Sequence, residues 1–203
     1  CNSLLVASGS AVLSVYFSAL TAYAIHAYDF RFKKAAFTFI MVIMMVPTQV
    51  SALGFINQMS NMRLMNSFIP LIIPSIASPV VFFFIKQYMD SVLPMELVEA
   101  ARIDGVGEWG IYFKMFLPIM KSTYAAAAIV SFMNAWNSYM WPLIVLQNEN
   151  SKTMPILVSG LTARYTIDYG SMMLAVTIST IPMLIIFFVL QLSLIHISEP
   201  TRR

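Results

Sequence analysis

Apolar runs alternate with short polar breaks along almost the whole chain, and each run has the length, about 20 residues, that a helix needs to cross a hydrocarbon core. The first covers residues 4–28. Small residues recur through it, at Ala7, Ser8, Gly9, Ser10, Ala11, Ser14, Ser18, Ala19 and Ala22, which lets another helix approach closely, so this run is expected to face protein. A second run covers 35–56, with Pro47 and Gly54 as bend points, and a third covers 68–87, where prolines at 70, 74 and 79 predict a distorted helix. A fourth spans 119–146 and a fifth 171–191, the latter with Pro182 in its middle.

The longest polar interruption is 95–121, MELVEAARIDGVGEWGIYFKMFLPIMK. Pro94 stands where a helix can begin, Glu96, Glu99 and Arg102 fall three apart on one side, and Gly105 stands where that helix would stop. A second helical piece would carry Glu108, Trp109, Tyr112, Phe113 and Phe116. Leu117-Pro118 would mark its junction with the next apolar run, because proline lacks an amide donor and disfavours helix just before it. The interruption is therefore expected to be a helix, a glycine corner and another helix. Ala100 and Ala101 permit close backbone approach, Glu99 can pair with Arg102 or with a basic residue of a partner, and Asp104 is placed to brace the corner.

Composition turns these runs into membrane spans. The 203 residues are 59% hydrophobic and only 10% charged, with a mean hydropathy of +0.78, whereas soluble domains have roughly 45–50% apolar and about 25% charged residues. The fold class is all-α, a polytopic helix bundle. A net charge of +3 would suggest nucleic acid in a soluble protein, but no basic patch interleaved with aromatics accompanies it, and no nucleic-acid partner is expected. Cys1 is the single cysteine, so an internal disulfide is excluded, and no Cys/His spacing suits a metal. No cofactor is expected. The 16 methionines are scattered at apolar positions, as adaptable packing requires.

Charge also sets the orientation. Arg31, Lys33 and Lys34 form a dense basic cluster between the first two runs, which places that loop in the cytoplasm. The 57–67 connection, with Arg63, is then external, the 95–121 interruption is cytoplasmic, and the 147–170 connection, with Lys152, Arg164 and Asp168, is external. His26, near the end of the first run, is expected to be an interfacial side chain, since no acid lies deep in a span to act with it in a proton relay.

Within the cytoplasmic interruption, EAARIDG at 99–105 followed by FLP at 116–118 resembles the EAA loop of ABC-importer membrane subunits, and it is most similar to that of sugar-importer permeases of the maltose type. Met115 and Ser122 depart from positions where that family often has isoleucine and proline, outside the EAA-to-glycine core. The resemblance implies six spans in the complete subunit against the five here. It also implies a bacterial inner-membrane location, a second homologous permease, two ATPase subunits and an extracytoplasmic substrate-binding protein. In that family the loop docks on the ATPase, which would give the coupling role to Glu99, Ala100, Ala101, Asp104, Gly105, Leu117 and Pro118. The chain itself would be no enzyme.

Gly105, Gly107 and Gly110 also spell G-x-G-x-x-G. A dinucleotide site needs a strand before that motif, and here the preceding EAARID favours helix, while Glu108 would repel a pyrophosphate. No Walker A sequence occurs in the chain. The most polar span is the fourth, where Asn134, Trp136, Asn137 and Tyr139 combine amides for sugar hydroxyls with aromatic faces for a pyranose. The same amides can instead bond between helices, and Trp141 fits an aromatic belt. The apolar centre of 147–170 can re-enter the mouth of the pathway, touch an external binding protein, or lie as a surface helix. The expected function is a permease subunit for a carbohydrate. Its rival, a secondary transporter or channel driven by an ion gradient, would ordinarily carry carboxylates within the spans, whereas here the acids cluster at loops and span ends.

One permease domain is expected over 1–191, truncated at its N-terminus. Residues 192–203 resemble the translation of a sequencing adapter and are expected to be a non-native tail.

Overall fold

The computed structural model describes residues 1–162 and 168–198. Arg164 and the segment after Ser198 lie outside the described residues. Helix α1 (Asn2–Ala27) is the axis of the molecule, packed along its length against α5 (Pro79–Val92) and α9 (Lys121–Trp136). Its buried side is a stripe of small residues, among them Ser3, Ala7, Ser10, Ala11, Ser14, Ser18, Ala19 and Ala22. The short side chains let neighbouring backbones come close, as their recurrence along the run predicts.

The second apolar run is not one straight span. Helix α2 (Lys33–Ile43) ends before Pro47, a 3-10 turn follows at Thr48–Ser51, and α3 (Ala52–Asn61) leaves at 88° to α2. Proline explains the break, since it cannot donate to the carbonyl four residues back and it drives the residue before it away from helix. Gly54 lies inside α3 and marks no bend. The third run is distorted as expected. It consists of α4 (Ile69–Ile72), a 3-10 turn (Ile73–Ile76) and α5, and each piece carries one of the three prolines in its first turn, where a missing N–H costs nothing.

After α6 (Met95–Ile103) comes a limb made of α7 (Glu108–Gly110), a π-helical stretch (Ile111–Phe116) and α8 (Leu117–Ile119). The limb meets α9 at 76°, and the junction falls at Met120, two residues beyond Pro118. The helix of the fourth run, placed within 119–146, therefore begins at Lys121. It breaks again after Trp136, before α10 (Met140–Val145). Helix α11 (Met154–Thr162) lies within the 147–170 connection, and α12 (Tyr169–Ser198) closes the described chain with Pro182 inside it. Among the described residues, three helical stretches, Asn2–Ala27, Ile69–Val92 and Tyr169–Val189, are long and apolar enough to cross a membrane, or up to five if each bent pair is one span.

Two polar ends bound this bundle. At one, Asn2 Nδ2 donates to the carbonyls of Asn150 (2.8 Å) and Lys152 (3.1 Å), and Met154 N–H donates to Ser3 Oγ at 2.7 Å. Asn66, held at φ 61°, accepts there from the amides of Gln147 and Asn148 through Oδ1. At the other end the C-terminus of α1 meets α5, α6 and the limb. The larger core lies towards this second end, built from Tyr23, Phe82, Ile85, Met89, Val98, Ala101, Ile111, Tyr112 and Phe116 among others. The 95–119 segment is thus fastened to the same end as the basic 29–34 loop.

Candidate functional site

The glycine corner of the 95–119 segment is a complete helix stop. Gly105 has φ +77°, its N–H donates to Arg102 O, and Val106 N–H donates to Ala101 O, each at 3.0 Å. These are the paired bonds of a Schellman motif, which needs a left-handed residue and so favours glycine. Gly110 serves differently, since a Cβ there would stand 2.9 Å from Val106 Cγ1. The two helical pieces are closed against each other across the corner.

The seven residues assigned to coupling do not share one face. Glu99, Ala100, Asp104, Gly105 and Pro118 are exposed, Leu117 is half-buried, and Ala101 is buried in the core. Ala101 therefore packs the loop onto the bundle instead of lying on its surface. Asp104 is the C-cap of α6 and contributes there through its backbone N–H to Ala100 O. Three large apolar residues that motif matching passes over, Ile103 (86% exposed), Trp109 (66%) and Phe113 (50%), stand out from the same segment. Exposed apolar groups close together mark an interaction surface. Trp109 and Phe113 stack with ring centroids 5.9 Å apart. The π-helical turn beneath them ends just before Pro118, which has no N–H to continue an α ladder.

Arg102 does not pair with Glu99. Its Nε donates to Glu108 Oε1 at 2.7 Å, its Nη2 donates to Ala27 O at 3.1 Å, and its guanidinium lies over the Tyr28 ring at 5.3 Å. The other Glu108 oxygen accepts from Tyr28 Oη (2.8 Å) and Tyr23 Oη (3.3 Å). The six-residue separation of Arg102 and Glu108 spans the corner, which turns the two side chains towards each other; Glu99, on the exposed side of α6, points elsewhere. Hydrogen bonding to Arg102 holds the Glu108 carboxyl below the usual glutamate range, and the same bond raises Arg102 further. Burial, then the Glu108 bond, raises the Tyr28 hydroxyl.

Two residues before Tyr28, His26 is turned towards α5. It is buried, with Nδ1 2.9 Å from Asp90 Oδ1 and Nε2 2.9 Å from Leu93 O. Asp90 also pairs with Lys86. The acid that sequence spacing did not supply comes from α5, 64 residues away. His26 thereby fastens α1 to the end of the helix that leads into the loop.

Of the residues expected to meet a solute, Trp136, Asn137 and Tyr139 line one cleft of about 570 Å³ with Met154, Ser159 and Thr180, between the break after α9, α11 and α12. Trp136 is buried and stacked on Phe132, Tyr139 Oη accepts from Ser159 Oγ at 3.2 Å, and Asn137 Nδ2 donates to Met133 O. Asn134 is exposed and is not among the residues of this cleft. A second cleft, about 610 Å³, lies beside the bend at Pro47 and includes Phe55 and Trp141 in edge-to-face contact.

A family profile described as "Binding-protein-dependent transport system inner membrane component" matches residues 14–196. The lactose transport system permease protein of Rhizobium radiobacter is 36% identical over 190 residues, covering 94% of this chain and 69% of that one. The arabinooligosaccharides transport system permease protein of Bacillus subtilis (strain 168) is 36% identical over 190 residues, 94% of this chain and 67% of its own. The sn-glycerol-3-phosphate transport system permease protein of Salmonella typhi is 31% identical over 192 residues, with 94% and 68% covered. Among solved structures, a bacterial ABC transporter involved in the import of the acidic polysaccharide alginate matches with a TM-score of 0.79 at 20% identity, over 94% of this chain and 72% of that one. That last likeness is one of fold.

Proposed function

Because the chain belongs to the family of binding-protein-dependent transport system inner membrane components, we propose that it forms part of a carbohydrate pathway and is driven through the 95–119 segment by an ATPase on a separate subunit. The observation that carries this reading is the exposed helix–glycine–helix segment itself. It presents Glu99, Ala100, Asp104 and Gly105 with the apolar Ile103, Trp109 and Phe113 at one end of the bundle, while Ala101, Ile111, Tyr112 and Phe116 root it in the core. A surface so anchored transmits force to α1 and α5, whereas a free loop would only bend.

The remaining partners follow from the same reading: a second homologous permease, two ATPase subunits and an extracytoplasmic binding protein, assembled in a bacterial inner membrane. The cleft of Trp136, Asn137 and Tyr139 is the part of the pathway this chain contributes, with amide and hydroxyl groups beside a buried aromatic. Sugar as cargo draws support from relatives whose names specify lactose and arabinooligosaccharides.

The test is co-purification of the complete subunit with its cognate ATPase, comparing wild type with Glu99→Lys. Association of the wild type and its loss in the variant are expected, since a lysine on the exposed side of α6 reverses the charge at the docking surface without touching the core. A wild-type subunit that bound no ATPase would end this reading.

A further inference from the structure

The residues that join the 95–119 segment to the first span are not those that the docking surface uses. Arg102 and Glu108 are half-buried, and among the described residues the hydrogen-bond partners of their side chains, besides each other, belong to the last five residues of α1 or the residue after it: Ala27 O, Tyr28 Oη and Tyr23 Oη. Tyr23 in turn packs against Tyr112 and Phe116 of the π-helical limb, with centroids 5.3 and 5.0 Å apart. The end of α1 is thus held from two sides of the glycine corner, by α6 through Arg102 and by the limb through Glu108 and the aromatic rings. On its opposite side the same turn is fastened to α5 through His26 and Asp90.

We propose that Glu108 is a positioning residue for energy coupling, the group that makes α6, the limb and the end of α1 move as one body when the segment is displaced. This rests on the coupling reading above and goes beyond it by naming where the displacement enters the membrane, at the Tyr23–Tyr28 turn of α1. The chemistry suits the role. A carboxylate accepts from the guanidinium on one oxygen and from two phenols on the other, so one side chain ties three chain segments together, and charge-assisted bonds are the stronger kind. Neither Glu99 nor Asp104 can substitute, since both are exposed on the outer side of α6. A clamp that failed would let the segment move under the ATPase without moving α1.

The experiment uses the complete importer reconstituted in vesicles, comparing wild type, Glu108→Gln and Tyr28→Phe for association with the ATPase, ATP hydrolysis and solute uptake. Glutamine keeps the size and one acceptor oxygen and loses the charge. Glu108→Gln is expected to leave association and hydrolysis near wild type while uptake per ATP hydrolysed falls about fivefold, the size of a small coupling energy. Tyr28→Phe should lower the same ratio, and the double variant should be little worse than Glu108→Gln alone, because both act on one linkage. Glu108→Asp, which keeps the charge, should recover part of the ratio. An unchanged ratio in Glu108→Gln overturns the proposal. Loss of ATPase association together with uptake also overturns it, by making Glu108 part of the docking surface. Failure of the wild-type subunit to bind ATPase would instead strike the coupling reading, a separate outcome.

Discussion

At Gly105 the left-handed backbone stands in open space, and a methyl group added to its α-carbon would meet no heavy atom within 4 Å. Substitution there strains the backbone alone, so Gly105→Ala is expected to destabilise the segment by about 1 kcal/mol and Gly105→Asn by less. Denaturation of the detergent-solubilised subunit measures both, and Gly105→Pro should lose more because it also removes the N–H bound to Arg102 O. The Glu108 cluster carries a pH dependence with a definite sign. Its carboxyl sits below the usual glutamate value because it is bonded to Arg102, so its contribution is complete above that usual value and is lost as pH falls through the depressed one. Tyr28 shifts the other way and stays a donor at neutral pH. A spin label at exposed Ile103 should therefore keep constant mobility from neutral pH to about pH 5 and gain mobility in more acid solution. In Glu108→Gln that acid step should vanish. Gly105 was legible in the sequence because the corner follows from local rules. The partner of Arg102 was not: spacing along a helix offered Glu99, and only the fold brings in Glu108, Tyr28 and Ala27 together.

Helix α1 shows what periodicity and residue size say about an element. Its small residues pointed to close packing, and Ala7, Ala19 and Ala22 are at most 2% exposed whereas the larger Val12 is 66% exposed. Ala22→Leu is expected to cost about 1–3 kcal/mol through overpacking against α5 and the limb. Val12→Leu should be near neutral, and the yield of folded subunit recovered from membranes compares the two. The prolines were equally readable as breaks, and those at 47, 70, 74 and 79 all fall at or near element starts. How far each break turns the chain was not readable. A missing hydrogen bond permits a bend, but packing chooses its angle, which is 88° after α2 and 76° at Met120. The same holds for the break after Trp136, which is followed by α10 with Pro142 in its first turn.

Across the molecule as a unit, the dense basic cluster at 31–34 predicts which end faces the cytoplasm, and the structure brings the 29–34 and 95–119 segments together at one end and Asn66 and residues 147–152 at the other. In a Cys1→Ser background, Met62→Cys should react with a membrane-impermeant thiol reagent in intact cells. Arg31→Cys should react only after permeabilisation, and the reverse pattern would invert the topology and remove the loop from any cytosolic ATPase. From the order of amino acids alone it follows that this is a helical membrane protein, where its apolar runs lie, and that a helix–glycine–helix segment interrupts them. Composition, hydrophobic length and glycine stereochemistry act within a few turns of chain and need no partner. It took the folded arrangement to establish that Ala101 is buried beside exposed Ala100, that His26 meets Asp90, that Asn137 and not Asn134 lines the cleft, and that Glu108 ties the segment to α1. Each of these depends on groups brought together from 64 to 85 positions apart, or on which side of a helix faces a neighbour. Contacts of that kind are fixed by how the helices pack, and no local pattern encodes them.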